Sequence, residues 1–174
     1  MITYPIGSSG QILVFQAGVI AHVMAHRQLH WWQNEAGGQL FARFADSQIL
    51  VAEATGPRPG DRRTRYSYRS DAHAEQREID WMHAFGLHYV GDWHTHPQRE
   101  PAPSTPDLES IAESVRKSTH NLNGFVLMVV GRAAAPAGLH VSVHDGVTGH
   151  RLSPSLTVES ASAPATRRRQ IRWI

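Results

Sequence analysis

GDWHTHPQREPAPSTPD, running from Gly91 to Asp107, places two histidines and an aspartate at close spacing. With the residues just before it, the segment predicts a strand over Leu87–Thr95. Side chains alternate along a strand, so His94 and His96 share one face and Thr95 takes the other. Two imidazoles on one face is the geometry a metal ion needs. Pro97, Pro101 and Pro103 carry the chain away as a loop, and Thr105-Pro106-Asp107 starts a helix, with Thr105 as N-cap and Pro106 at the first helical position. Asp107 falls in the first turn, where the helix dipole favours a carboxylate, and can serve as a third ligand. Two histidines and one aspartate leave a tetrahedral ion one position open to water, which marks a catalytic rather than a structural zinc. The expected content is one zinc per chain.

Outward from this segment, strands and helices follow in a mixed rather than strictly alternating order. Gln11–Phe15, Gly37–Phe44, Ile49–Ala54, Arg65–Arg69, Phe125–Val130 and Leu139–Val143 read as strands, with Ala45-Asp46-Ser47 as a turn. Phe125–Val130 is continuously apolar, as a central strand is. Helical spacing predicts a helix over Ala17–Trp32 and another over Asp71–Phe85, the latter capped by Ser70 with Ile79, Met82 and Phe85 on its core face. Gly56–Arg63 is a loop by its Gly and Pro content. The expected fold is mixed α/β (α+β): one domain, a central mixed sheet flanked by helices. That domain spans residues 1–152, and residues 153–174 form a Ser/Ala/Pro-rich tail ending in the basic Arg167-Arg168-Arg169 and Arg172 cluster.

Composition narrows the classes. The chain has 174 residues, a single domain's length, with a modest charged fraction that excludes a disordered protein. A formal net charge of +2 gives no reason to expect nucleic acid as a partner. The absence of cysteine removes a disulfide scaffold, a Cys-ligated zinc and a cysteine nucleophile. No run approaches the roughly 18 apolar residues of a membrane span, and Met1–Pro5 lacks the start of a signal peptide. The expected location is the cytoplasm.

The spacing His94-x-His96-x7-Ser104-x2-Asp107 resembles the motif of the JAMM, or MPN-type, metalloproteases. Trp93 and Pro97 flank the histidines in a form common in that family. Glu35-Ala36-Gly37-Gly38-Gln39-Leu40 is similar to its Glu-x-Gly-Gly-x-Leu segment, with Ala42 where a glycine often stands. The resemblance covers Glu35 to about Val130 and is nearest to compact prokaryotic members. It implies a zinc isopeptidase with ligands His94, His96 and Asp107, Glu35 as general base and Ser104 as oxyanion donor. It also implies a substrate joined through the C-terminus of a ubiquitin-like protein. Ala54-Thr55-Gly56-Pro57 and Gly91-Asp92-Trp93 are similar to bacterial members found beside ubiquitin-like conjugation enzymes, some in anti-phage operons with a cyclic-oligonucleotide synthase. Activating and conjugating enzymes and a nucleotidyltransferase acceptor are the implied partners.

Other readings stand beside this one. A RadC-like, DNA-associated protein carries a related motif, usually followed by Pro-Ser-Gly, where this chain has Pro97-Gln98-Arg99. A non-catalytic MPN scaffold loses ligands that this chain keeps. A cell-wall amidase on the same fold is a further alternative. Glu53 is the rival base, without the Gly-Gly context. His22, His26 and His30 fall on one face of the first helix, where a solvated polar surface is the simplest expectation.

Overall fold

A computed structural model of the chain describes residues 1–155. It shows ten strands and three helices. Eight strands form one mixed sheet: β1 (Ile2–Pro5), β2 (Ile12–Phe15), β4 (Gln48–Ala54), β3 (Gly37–Ala45), β7 (His88–Thr95), β8 (Phe125–Val130), β9 (Leu139–His144) and β10 (Gly149–Arg151), in that spatial order. The β2–β4 and β7–β8 pairs are parallel and the others antiparallel. β5 (Arg62–Thr64) and β6 (Ser67–Arg69) make a separate hairpin.

The period-2 alternation of the sheet sorts the core into two layers. Leu40, Ala42, Val126, Met128 and Val130 pack with Val19 and Val23 of α1 (Ala17–Ala25). On the other face, Leu127 and Val129 meet Ile111 of α3 (Thr105–Lys117), and Phe41 meets Met82 of α2 (Ala72–Ala84). The sheet is therefore sandwiched between α1 and the α2–α3 pair, the expected single mixed domain.

Several boundaries differ from the sequence reading. α1 stops at Ala25, not Trp32. The Arg27 side chain bonds the Met24 carbonyl, and Gln28 turns inward to bond Gln33 and Arg65 carbonyls, so tertiary bonds replace further helical ones. His30 is consequently not on the helix. His22 and His26 are half-buried rather than solvated, their rings 5.5 and 5.6 Å from that of Trp93. The expected strand Arg65–Arg69 is instead the turn and second strand of the β5–β6 hairpin, whose first strand takes the end of the expected loop. Asp71, not Ser70, caps α2, because its carboxylate accepts from both His73 and Ala74 amides. Phe85 ends outside the core, beyond the last turn of α2, and is exposed beside Trp81. β1 and β10 are short edge strands with little pattern to read. Ser155 bonds β1 at Thr3, and the basic cluster lies outside the described residues. No helix among the described residues is long and apolar enough to cross a membrane.

His140 of β9 gives the fold a pH dependence. Burial, with Arg151 and His144 nearby, pushes its imidazole down from 6.5 to about 4. Charging it is penalised only in the folded chain, so the penalty is absent above pH 6.5 and grows as pH falls toward 4. A His140→Gln chain is expected to lose less stability than wild type across that window. Urea midpoints near the two ends of the window measure this; parallel losses in both chains would show that His140 is not held neutral.

Candidate metal centre

The two histidines reach the same side of the sheet through a bulge. Val90 and Trp93 both face the α1 layer although three residues apart, and the β3–β7 register shifts at Val90, between Tyr89 and Gly91. Gly91 sits there at φ +144°, where an added Cβ would lie 1.9 Å from the Val126 carbonyl oxygen. The extra residue resets the alternation, so Trp93 stays in the core and His94 and His96 turn toward α3.

α3 brings the third group. Ser104, not Thr105, is its N-cap, and Pro106 follows Thr105 in the first turn. Ser104 and Asp107 form a reciprocal capping box: Asp107 Oδ2 accepts from the Ser104 amide at 2.6 Å and hydroxyl at 2.7 Å, and the Asp107 amide donates back to Ser104 Oγ. This fixes the Asp107 carboxylate against the histidines.

The three side chains converge. His94 Nε2 and His96 Nε2 are 3.2 Å apart, and each lies 3.3 Å from an oxygen of Asp107. Donors at tetrahedral positions about 2.0–2.1 Å from an ion are separated by roughly 3.3–3.4 Å, so the spacing fits a divalent metal. Both imidazoles are nearly buried. Burial disfavours the Asp107 carboxylate, but bonds from His94, His96 and Ser104 outweigh it and hold the group well below the usual carboxylate range. A stably ionised carboxylate beside two imidazoles is a metal-binding donor set.

Glu35 enters the same cavity from the start of β3. Its amide donates to the Thr64 carbonyl at 2.7 Å, and Arg63 Nε donates to the Glu35 carbonyl at 2.5 Å. The Ala36 amide donates to Thr95 Oγ1, the face of β7 opposite the histidines. Gly37 and Gly38 allow this approach: a Cβ on Gly38 would stand 1.8 Å from the Thr55 carbonyl oxygen. Glu35 is only 4% exposed, and burial raises its carboxyl to about 7, with His96 opposing and Asp107 adding to the shift.

Glu35, His94, His96, Ser104 and Asp107 all line one cavity of about 720 Å³. Glu53 is exposed on β4 and does not line it. Sequence reasoning missed the residues that hold Glu35 in place, Arg63, Thr95 and Gln28, because their partners are distant in sequence.

The family model for prokaryotic homologs of the JAB domain matches residues 17–143, and the chain belongs to that family. Among its relatives is a CD-NTase/cGAS isopeptidase of Vibrio cholerae serotype O1, 29% identical over 124 residues, covering 70% of this chain and 77% of the relative. A protein of the same name from Escherichia coli is 26% identical over 123 residues, covering 69% and 76%. A probable metalloprotease, y4qB of Sinorhizobium fredii, is 28% identical over 102 residues, covering 56% and 62%. The solution structure of DSY2949 from Desulfitobacterium hafniense shares the fold, with a TM-score of 0.53 at 16% identity over 80% of this chain and 88% of that one.

Proposed function

We propose that the chain is a zinc-dependent isopeptidase. The observation that carries this is the convergence of His94, His96 and Asp107 within 3.3 Å in one cavity with a buried Glu35. The names of the relatives support the reaction class. When bound, zinc would lower the pKa of water at its open position and polarise the scissile carbonyl. The Glu35 carboxylate accepts a proton from the attacking water and delivers it to the leaving amine as the C–N bond breaks. The water oxygen ends on the acyl carbon, leaving a free carboxylate and a free amine. The Ser104 hydroxyl would exchange its bond to Asp107 for one to the developing oxyanion.

The substrate is a protein conjugate, in which the C-terminal carboxylate of a ubiquitin-like protein, or of a CD-NTase, is joined to a target amine. The names of the relatives and the cavity beside Glu35 support this choice. The bacterial anti-phage setting and cytoplasmic location expected from the motif resemblance are part of the same proposal. The test is incubation of the zinc-loaded chain with such conjugates, read by mass spectrometry. Release at the isopeptide junction is expected; release of cell-wall fragments with every conjugate left intact would favour an amidase.

Ser104 carries two roles in this scheme, and Ser104→Ala should show both. Loss of an oxyanion donor is expected to lower kcat about 10²–10³-fold with metal content kept. Loss of the cap should cost about 1 kcal/mol in thermal unfolding. A stability loss with an unchanged rate would leave Ser104 a cap alone.

A further inference from the structure

We propose that Trp31, Trp32 and Tyr66 form a docking ledge for the folded body of the substrate protein, an apolar surface bordered by carboxylates. The proposal rests on the isopeptidase reading. The three side chains are 75%, 63% and 73% exposed, although large aromatic residues are normally among the most buried.

The ledge is a held structure. Arg65 donates to the carbonyls of His30 and Trp31, and Gln28 bonds the Arg65 and Gln33 carbonyls, so the loop after α1 and the β5–β6 hairpin are tied together. His30 stacks on Trp32 at 4.5 Å with 4° between the rings, and Trp31 meets Trp32 edge-on at 5.9 Å. Aromatics already fixed in place lose little entropy on binding.

Position and charge identify the occupant. Tyr66 lines the cavity that holds Glu35 and the candidate metal ligands, so that end of the ledge borders the proposed hydrolytic site. On the β5–β6 hairpin Arg62 and Arg69 are exposed and neither strand carries an acidic residue, while Arg63 and Arg65 are turned to backbone carbonyls. Trp, Tyr and Arg together are the composition of protein-binding hot spots, and the arginines select a carboxylate-rich rim. Aromatics with arginines also stack single-stranded nucleic acid. A formal net charge of only +2 favours the protein occupant over a phosphate backbone.

The test separates the ledge from the reaction. The probe is a CD-NTase linked through its C-terminal carboxylate to a lysine of a reporter protein, titrated calorimetrically into Glu35→Gln chain. Adding Trp31→Ala with Trp32→Ala should weaken binding by about 30-fold or more, and Arg62→Glu alone by several-fold. With Glu35 intact, the double tryptophan variant should cleave a short peptide spanning the same junction at the wild-type rate, which also verifies its fold. If wild type cleaves the conjugate but the tryptophan variant binds it equally well, the ledge is overturned and the isopeptidase reading stands. If binding depends on the ledge but wild type cleaves nothing, the ledge stands and the reaction fails. Tryptophan-dependent binding of an oligonucleotide of about 12 nucleotides, without conjugate binding, would overturn the protein partner.

Discussion

A Glu35→Gln chain is expected to retain its metal and its unfolding temperature while losing about 10²–10⁴-fold in kcat on an isopeptide-linked conjugate. The amide nearly matches the carboxyl in shape, and the backbone bonds to Thr64 and Arg63 do not involve the side chain. What disappears is the group proposed to accept the water proton. Because Glu35 is buried and its carboxyl is raised to about 7, its basicity is near that suited to proton transfer at neutral pH. Wild-type turnover in Glu35→Gln would move the base elsewhere. Glu53, exposed on β4 outside the cavity, offers no replacement.

His94→Ala is expected to have an effect at least as large, by a different route. The substitution removes one of three converging donors and leaves two, too few for a tight tetrahedral site. Elemental analysis should fall from about one zinc per chain to near none, with hydrolysis reduced to background. The fold should survive, since His94 makes no backbone-holding side-chain bond and β7 remains paired on both edges. Zinc retained in full by His94→Ala would sink the ligand assignment.

Much of this site is legible in the chain. The alternation of β7 puts His94 and His96 on one side, and the Ser104–Asp107 spacing is that of a helix start, so local rules carry the candidate triad. Those rules put His94 and His96 on one face by an incomplete argument, because the bulge at Gly91 decides which layer they face. A lone glycine in a strand is the sequence trace of that bulge. The caps were misread by one position at both Ser70 and Thr105, where the neighbouring Asp71 and Ser104 have the side chain that reaches the free amides. The end of α1 was beyond local reading: Trp31 continues an apolar spacing, yet Gln28 and Arg65 secure a loop through partners more than 30 residues away. The clamp on Glu35 is hidden for the same reason, since nothing in Arg63 or Thr95 announces a partner across the fold.

Zinc titration of the chelator-stripped chain, with isopeptide cleavage read in the same samples, tests the central claim most directly. Cleavage should rise from background in proportion to added zinc, reach its plateau at about one zinc per chain, and be abolished by Glu35→Gln at the same occupancy. Full cleavage by the stripped chain, or a zinc-saturated chain that leaves every isopeptide conjugate intact, would contradict it.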